Sequence, residues 1–359
     1  MTTGLLFVLG LVTLLVGGEL LIRGASRCAT LLKISPLVVG LTVVAYGTSS
    51  PELATNLIAV HRDQLDLAVG NVVGSNIFNV LFILGASAVV VPLLVHRQVV
   101  RFDVPLMIGV SVLLLVLSLD GRLSRLDGLI LLSGIIVYTV FIVRESRRDQ
   151  GEASAPGDPP PLQPSPLHWA SSIAMVLGGL GVLILGSRWL LDASVTIAKQ
   201  MGISELVIGL TLVAAGTSLP ELITSILAAL RGQRDIAVGN VVGSNIYNIL
   251  GILGISSLLA KDGIPVPPSA LGFDMPVMIG SALACLPIFF SGHRIARWEG
   301  LLFVLYYSAY TLFLILKSTQ HDQLPVFGGM MLSYVLPLTA VTLLVVLLRE
   351  IRKPKLATP

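Results

Sequence analysis

Two glutamates, Glu52 and Glu221, stand deep inside apolar stretches, and each closes the same short phrase, GTSSPE at 47–52 and GTSLPE at 216–221. A second phrase, GNVVGSN, follows each of them at 70–76 and 239–245, and three residues beyond it comes an asparagine, Asn79 or Asn248. A carboxylate in hydrocarbon is costly unless it serves a site, and a helix crossing a bilayer gains nothing from Gly and Pro at its middle. Thr48 with Glu52 and Ser75 with Asn79 are spaced four apart, as are Thr217 with Glu221 and Ser244 with Asn248. That spacing shares a helix face. Four helices thus present an oxygen pair each, two with carboxylates and two with carboxamides, all backed by hydroxyls. The chemistry of such a set is cation binding.

Pro51 and Pro220 lack an N–H, so the carbonyls of Gly47 and Gly216 are expected to be released from the helix ladder. Freed carbonyls at membrane depth need partners, and a bound ion is one. Carboxylate, amide, hydroxyl and carbonyl oxygens suit hard ions such as Ca²⁺, Mg²⁺ or Na⁺ rather than zinc, copper or iron. The histidines, at 61, 96, 168, 293 and 321, fall in or beside loops. Two ionised glutamates balance one Ca²⁺.

Other polar positions have plainer readings. Gly70, Gly74, Gly239 and Gly243 are expected to serve close packing, while Asn71, Asn76, Asn240 and Asn245 are either interhelical hydrogen-bonders or ligands. Glu19 reads as a gate-side or interfacial residue, and Asp103 and Asp274 as N-terminal caps of equivalent helices. Cys28 and Cys285 form no metal or redox motif and read as packing thiols.

The elements that must carry these residues come in two copies. Residues 40–85 and 209–254 align without a gap at an offset of 169 and agree at about two-thirds of positions, the mark of an internal duplication. The chain has 359 residues, of which 12% are charged and 54% hydrophobic. With a mean hydropathy of +0.91, it reads as an all-α integral membrane protein. Apolar runs predict eleven helices, at 4–22, 35–60, 67–92, 102–119, 125–143, 169–191, 204–230, 236–260, 272–291, 297–317 and 325–348. The stretch 144–168, which includes SAPGDPPPLQPSP, reads as a flexible cytoplasmic linker. It separates a first repeat at 1–143 from a second at 169–317, with 318–359 an additional helix and basic tail.

Five crossings per half make the second repeat inverted relative to the first. With the amino terminus outside, 16 of the 23 lysines and arginines fall on the cytoplasmic side, Arg349, Arg352, Lys353 and Lys355 among them. The expected location is the inner (plasma) membrane, with the carboxyl terminus cytoplasmic. The net charge of +3 is scattered over short loops, so no nucleic-acid partner is expected.

At its paired motifs the chain resembles the cation/calcium antiporter superfamily, specifically the prokaryotic sodium/calcium exchangers. GTSSPE and GTSLPE, each followed by GNVVGSN, look like that family's two alpha-repeats, and the likeness covers nearly all of the first ten helices. The resemblance implies a ten-helix core that exchanges Na⁺ for Ca²⁺ by alternating access, with the transported ions as its only bound ligands. By motif position, Glu52 and Glu221 would be central calcium ligands shared with sodium, and the Thr48 and Thr217 carbonyls would complete the calcium site. Ser49, Ser75, Ser218, Ser244 and the carbonyls of Ala45 and Ala214 would belong to flanking sodium sites. Asn248 stands where some exchangers carry Asp, and so matches Asn79.

Three rivals lie nearby. A proton-coupled or other divalent cation exchanger shares the architecture, but GTSxPE differs from the GNxxE-type motifs of proton/calcium exchangers. A channel would favour rapid exit over two deep carboxylates. An intramembrane hydrolase would need a base beside a nucleophile or a nitrogen-ligated metal, and the sequence offers neither.

Overall fold

The computed structural model describes residues 3–152, 165–203, 205–208, 211–212, 214–290 and 292–341. Nearly all of them are helical. Membrane-length helices are α1 (Thr3–Leu32), α4 (Asp66–Val90), α5 (Val99–Leu117), α6 (Arg125–Glu152), α7 (Pro166–Gln200), α11 (Arg234–Leu259), α12 (Ala270–Phe290), α13 (Arg297–Ser318) and α14 (Leu324–Val341). One further span is broken, α2 (Pro36–Thr48) meeting α3 (Ser50–His61) at 43°. The described parts of its counterpart in the second half are α8 (Glu205–Ile208), α9 (Ala214–Gly216) and α10 (Leu219–Leu230).

The breaks follow from the motif chemistry. Pro51 and Pro220 sit in the first turn of α3 and α10, where a missing N–H is harmless, and end the preceding helix by clashing with its last turn. Ser49 lies between α2 and α3 with φ −79° and ψ 10°, outside helical geometry. The helices expected over 35–60 and 204–230 are therefore each interrupted at the motif.

Several helices run past their expected ends. α1 continues from 22 to Leu32, and α6 continues from 143 to Glu152, taking up the basic start of the expected linker. The rest of that linker up to 164, the end of the eleventh helix and the basic tail lie outside the described residues.

α4 and α11 form the enclosed centre, whereas α1, α6, α7 and α13 turn most of their surface outward. Leu5, Val8, Val137 and Leu305 are among the large apolar side chains left exposed, as a hydrocarbon solvent permits. α1 and α7 pack along each other through glycines on a heptad spacing. A Cβ on Gly17 would lie 2.6 Å from the Leu183 nitrogen, and one on Gly179 the same distance from that of Leu21. Such backbone-to-backbone approach is a membrane helix interface that only glycine allows.

The loops pair across the two halves. β1 (Leu93–Leu94) joins β4 (Arg294–Ile295), and β2 (Arg122–Leu123) joins β3 (Ile264–Pro265), both antiparallel. Helix counting assigns the first two loops to one face of the membrane and the other two to the opposite face, so each strand pair links loops of the same side.

Candidate cation site

The two helix breaks bring the glutamates to helix starts. Glu52 lies in the first turn of α3 and Glu221 in the first turn of α10, each 1% exposed. The partial positive charge of a helix N-terminus favours a carboxylate there. Thr48 and Glu52 consequently flank a break rather than sharing an unbroken helical face, because Pro51 ends the ladder between them.

Each glutamate is held by the other repeat. Ser218 Oγ donates to Glu52 Oε1 at 2.8 Å, and Ser49 Oγ donates to Glu221 Oε1 at 2.8 Å. Thr217 stands beside Glu52, and Thr48 beside Glu221. The second oxygen of each carboxylate, Oε2, is buried without a hydrogen-bond partner.

The asparagines form a second reciprocal arrangement. Asn79 and Asn248 each begin or enter a π-helical turn, Phe78–Leu84 and Asn248–Leu253, a widening of the helix common at functional sites. Asn79 Nδ2 donates to Asn245 Oδ1 at 3.0 Å, and Asn248 Nδ2 donates to Asn76 Oδ1 at 3.0 Å. Asn76 and Asn245 in turn donate to each other's backbone carbonyls, at 3.1 and 3.3 Å. The Oδ1 atoms of Asn79 and Asn248 are themselves buried and unpartnered.

Buried acceptors without donors are rare and destabilising in any interior, and more so in hydrocarbon. Among the described residues they include Asp103 Oδ2, several hydroxyls and one oxygen each from Glu52, Glu221, Asn79 and Asn248, the last four with a formal charge of −2 when both glutamates are ionised. The arrangement fits a hard cation and no nitrogen- or sulfur-preferring metal.

Other expected positions are placed as follows. Ser75 and Ser218 hydroxyls are 3.4 Å apart, and Ser244 Oγ approaches the Ala45 carbonyl at 3.5 Å. Thr48 Oγ1 donates to Asn240 Oδ1 at 3.1 Å, while Thr217 Oγ1 has no partner. Ala214 opens α9, ahead of the break before Glu221. Asn71 Nδ2 donates to the Glu52 carbonyl and to Asn56 Oδ1; Asn240 Nδ2 donates to the Glu221 carbonyl and to Ser225 Oγ. These asparagines therefore position the glutamate backbones. Asn56 and Ser225 escaped the sequence reading, although each is a polar residue one helical turn beyond its glutamate.

Some expectations need correcting. The Gly216 carbonyl is not left for an ion, because Ser187 Oγ on α7 donates to it at 2.8 Å. The position equivalent to Ser187 in the first repeat is Gly18, so the duplication gave no signal for it. Gly239 and Gly243 pack as expected, a Cβ on Gly243 falling 2.5 Å from the Leu41 carbonyl, while among the described residues nothing lies within 4 Å of a Cβ on Gly70 or Gly74.

Asp103 and Asp274 are not caps. Asp103 has α-helical φ and ψ and no capping bond, and it sits at the end of the π-helical turn Val99–Asp103, fully buried. Tyr138 on α6 donates to its Oδ1 at 3.1 Å, just as Tyr310 on α13 donates to Asp274 at 2.8 Å. A π-turn has already carried the chain into helix, so no free N–H is left there to cap. Glu19, on α1, is in ion pairs with Arg23 and Arg231.

Comparison with known proteins places this geometry in company. The family model described as Sodium/calcium exchanger protein matches residues 2–144 and 171–316. The chain is 33% identical over 339 residues to Sodium/calcium exchanger MaX1 of Methanosarcina acetivorans, covering 85% of this chain and 96% of that one. It is 39% identical over 276 residues to Inner membrane protein YrbG of Escherichia coli strain K12, covering 76% and 84%. A solved structure of the sodium-calcium exchanger NCX_Mj superposes with a TM-score of 0.72 at 32% identity, covering 85% of this chain and 96% of that chain.

Proposed function

Because the chain belongs to the sodium/calcium exchanger family, a family of multi-pass membrane transporters and not of enzymes, we propose that it exchanges Na⁺ for Ca²⁺ across the membrane by alternating access. The observation that carries this reading is the set of four buried, unpartnered oxygens on Glu52, Glu221, Asn79 and Asn248. In this reading the ions are substrates. Ca²⁺ takes both carboxylates, whose charges balance it in a medium where an uncompensated ion is prohibitive.

Sodium ions use the same carboxylates together with flanking oxygens. Ser49 and Ser218 hydroxyls, already on the glutamates, and Ser75, Ser244 and the carbonyls of Ala45 and Ala214 supply neutral ligands for them, while the Thr48 and Thr217 carbonyls complete the calcium site. Sharing the carboxylates makes occupancy by Ca²⁺ and Na⁺ mutually exclusive, which is the requirement for obligatory exchange. The two repeats enter the membrane in opposite senses, so rocking one against the other exposes this fixed site to either side in turn. We place the amino terminus outside and residues 144–168 in the cytoplasm, in the cell's inner membrane, on the lysine and arginine distribution.

The test is counterflow. Purified protein in liposomes loaded with Na⁺ should take up labelled Ca²⁺ against its gradient, and uptake should stop when external and internal Na⁺ are equal. Ca²⁺ entry that follows its own gradient whatever the Na⁺ would indicate a channel, and uptake driven equally by an imposed pH difference would indicate proton coupling.

A further inference from the structure

The two halves share a pattern but are not in the same environment, and the difference has a chemical origin at one end of α1. Glu19 on α1 pairs with Arg231, the residue that closes α10, and with Arg23 one turn along its own helix. Two turns further on the same face of α1, Ser26 Oγ donates to Gln233 Oε1 at 3.0 Å. Two polar contacts therefore tie α1 to the 231–233 turn.

The equivalents at an offset of 169 cannot make these contacts. Glu19 and Arg231 correspond to Arg188 and Arg62, a pair of like charge, and Ser26 and Gln233 correspond to Val195 and Gln64. The packing differs in the same sense. Gly18 of α1 lies on α10, where its Cβ would meet Leu227 Cδ1 at 2.8 Å and Ile223 Cγ2 at 3.3 Å. Thr224 is accordingly buried, 0% exposed, and Ile223 and Leu227 are half-buried. Their equivalents on α3, Ala54, Thr55 and Ile58, are exposed, and among the described residues α7 makes no comparable contact with α3.

We propose that Glu19 with Arg231, seconded by Ser26 with Gln233, is a latch that holds the α10 end of the site shut and biases the protein toward the state open along α3. The proposal rests on the alternating-access reading above. In an inverted repeat the opposite state is reached when each half takes the other's conformation. The closure of α1 on α10 then becomes a closure of α7 on α3, where Arg188 meets Arg62. One state has an ion pair and a hydrogen bond, and the other sets Arg188 against Arg62, with Asp192 one turn along α7 offsetting only part of that repulsion. The pair is partly open to water, with 43% and 22% of the two side chains exposed, so the bias is modest, about two- to five-fold in the population ratio.

The experiment compares thiol labelling rates at Thr55→Cys and Thr224→Cys, each in a Cys28→Ala and Cys285→Ala background, in detergent so that both ends meet reagent. Thr55→Cys should react rapidly and Thr224→Cys slowly. Adding Glu19→Gln should raise the rate at 224 and lower the rate at 55, each about two- to five-fold. Glu19→Arg with Arg231→Glu should restore the original ratio, a rescue that a merely misfolded variant would not give. Arg188→Glu with Asp192→Arg copies the Glu19 and Arg23 pair onto α7 opposite Arg62, and should shift both rates in the same direction as Glu19→Gln. Unchanged rates in Glu19→Gln, equal increases at both positions, or failure of the charge swap would overturn the latch. Labelling requires no ion flux. A protein that exchanges Na⁺ for Ca²⁺ but ignores Glu19→Gln loses only the latch, whereas the expected labelling pattern without exchange would remove the transport reading.

Discussion

Glu52 and Glu221 each spend one oxygen on a serine of the opposite repeat and keep one free, so replacing either by glutamine removes half the charge at the site while preserving its shape. Taking one partner from a buried ionic set costs about 3–5 kcal/mol, so Glu52→Gln and Glu221→Gln should each weaken Ca²⁺ binding on the order of 10²–10⁴-fold with the fold intact. Calcium titration by calorimetry beside a thermal melt checks both halves of that statement. Protons compete for the same carboxylates that the cations use, so the Ca²⁺ concentration for half-maximal uptake should rise as pH falls from 8 to 5. A flat profile would count against the carboxylate pair. Asn248→Asp places a third carboxylate there and removes the amide that donates to Asn76 Oδ1. Its Ca²⁺ flux should become more sensitive to acid and should acquire a dependence on added K⁺ or extra Na⁺, measured with each ion varied separately. The duplication made the glutamates and asparagines readable from the sequence. It could not reveal that Ser218 serves Glu52 and Ser49 serves Glu221, because partners 166 and 172 positions apart share no local pattern.

At the scale of the helix, the apolar runs placed the spans, and Gly and Pro marked the breaks. The π-helical turns at Phe78–Leu84, Asn248–Leu253 and Val99–Asp103 carried no sequence mark, since a widened turn depends on what packs against it rather than on its own residues. For the same reason Asp103 looked like a cap, when it is Tyr138 that accounts for it. Glycines divide by neighbour in a way composition could not reveal. Gly17→Ala drives a Cβ to 2.6 Å from the Leu183 backbone and should lower stability by about 1–3 kcal/mol, whereas Gly70→Ala meets nothing within 4 Å among the described residues and should leave the melting temperature unchanged or higher. Paired melts in one detergent decide it. Equal destabilisation by both would mean that α1 and α7 are not in backbone contact.

For the whole molecule, the direction of insertion rests on where lysine and arginine fall. Single cysteines at Gln150 and Pro354, without the native Cys28 and Cys285, should both be shielded from an impermeant reagent in right-side-out cells. Labelling at 354 alone would put the last crossing in doubt, and labelling at both would invert the protein. The crossed serine-to-glutamate bonds have one more consequence, which concerns the repeats as a pair. A single repeat contains a carboxylate whose hydroxyl donor lies on the other repeat, and an asparagine whose amide partner does too. Alone it is half a site with nothing to complete it. The site therefore belongs to the pair of repeats and to neither by itself, so a substitution in one repeat is felt by the carboxylate of the other.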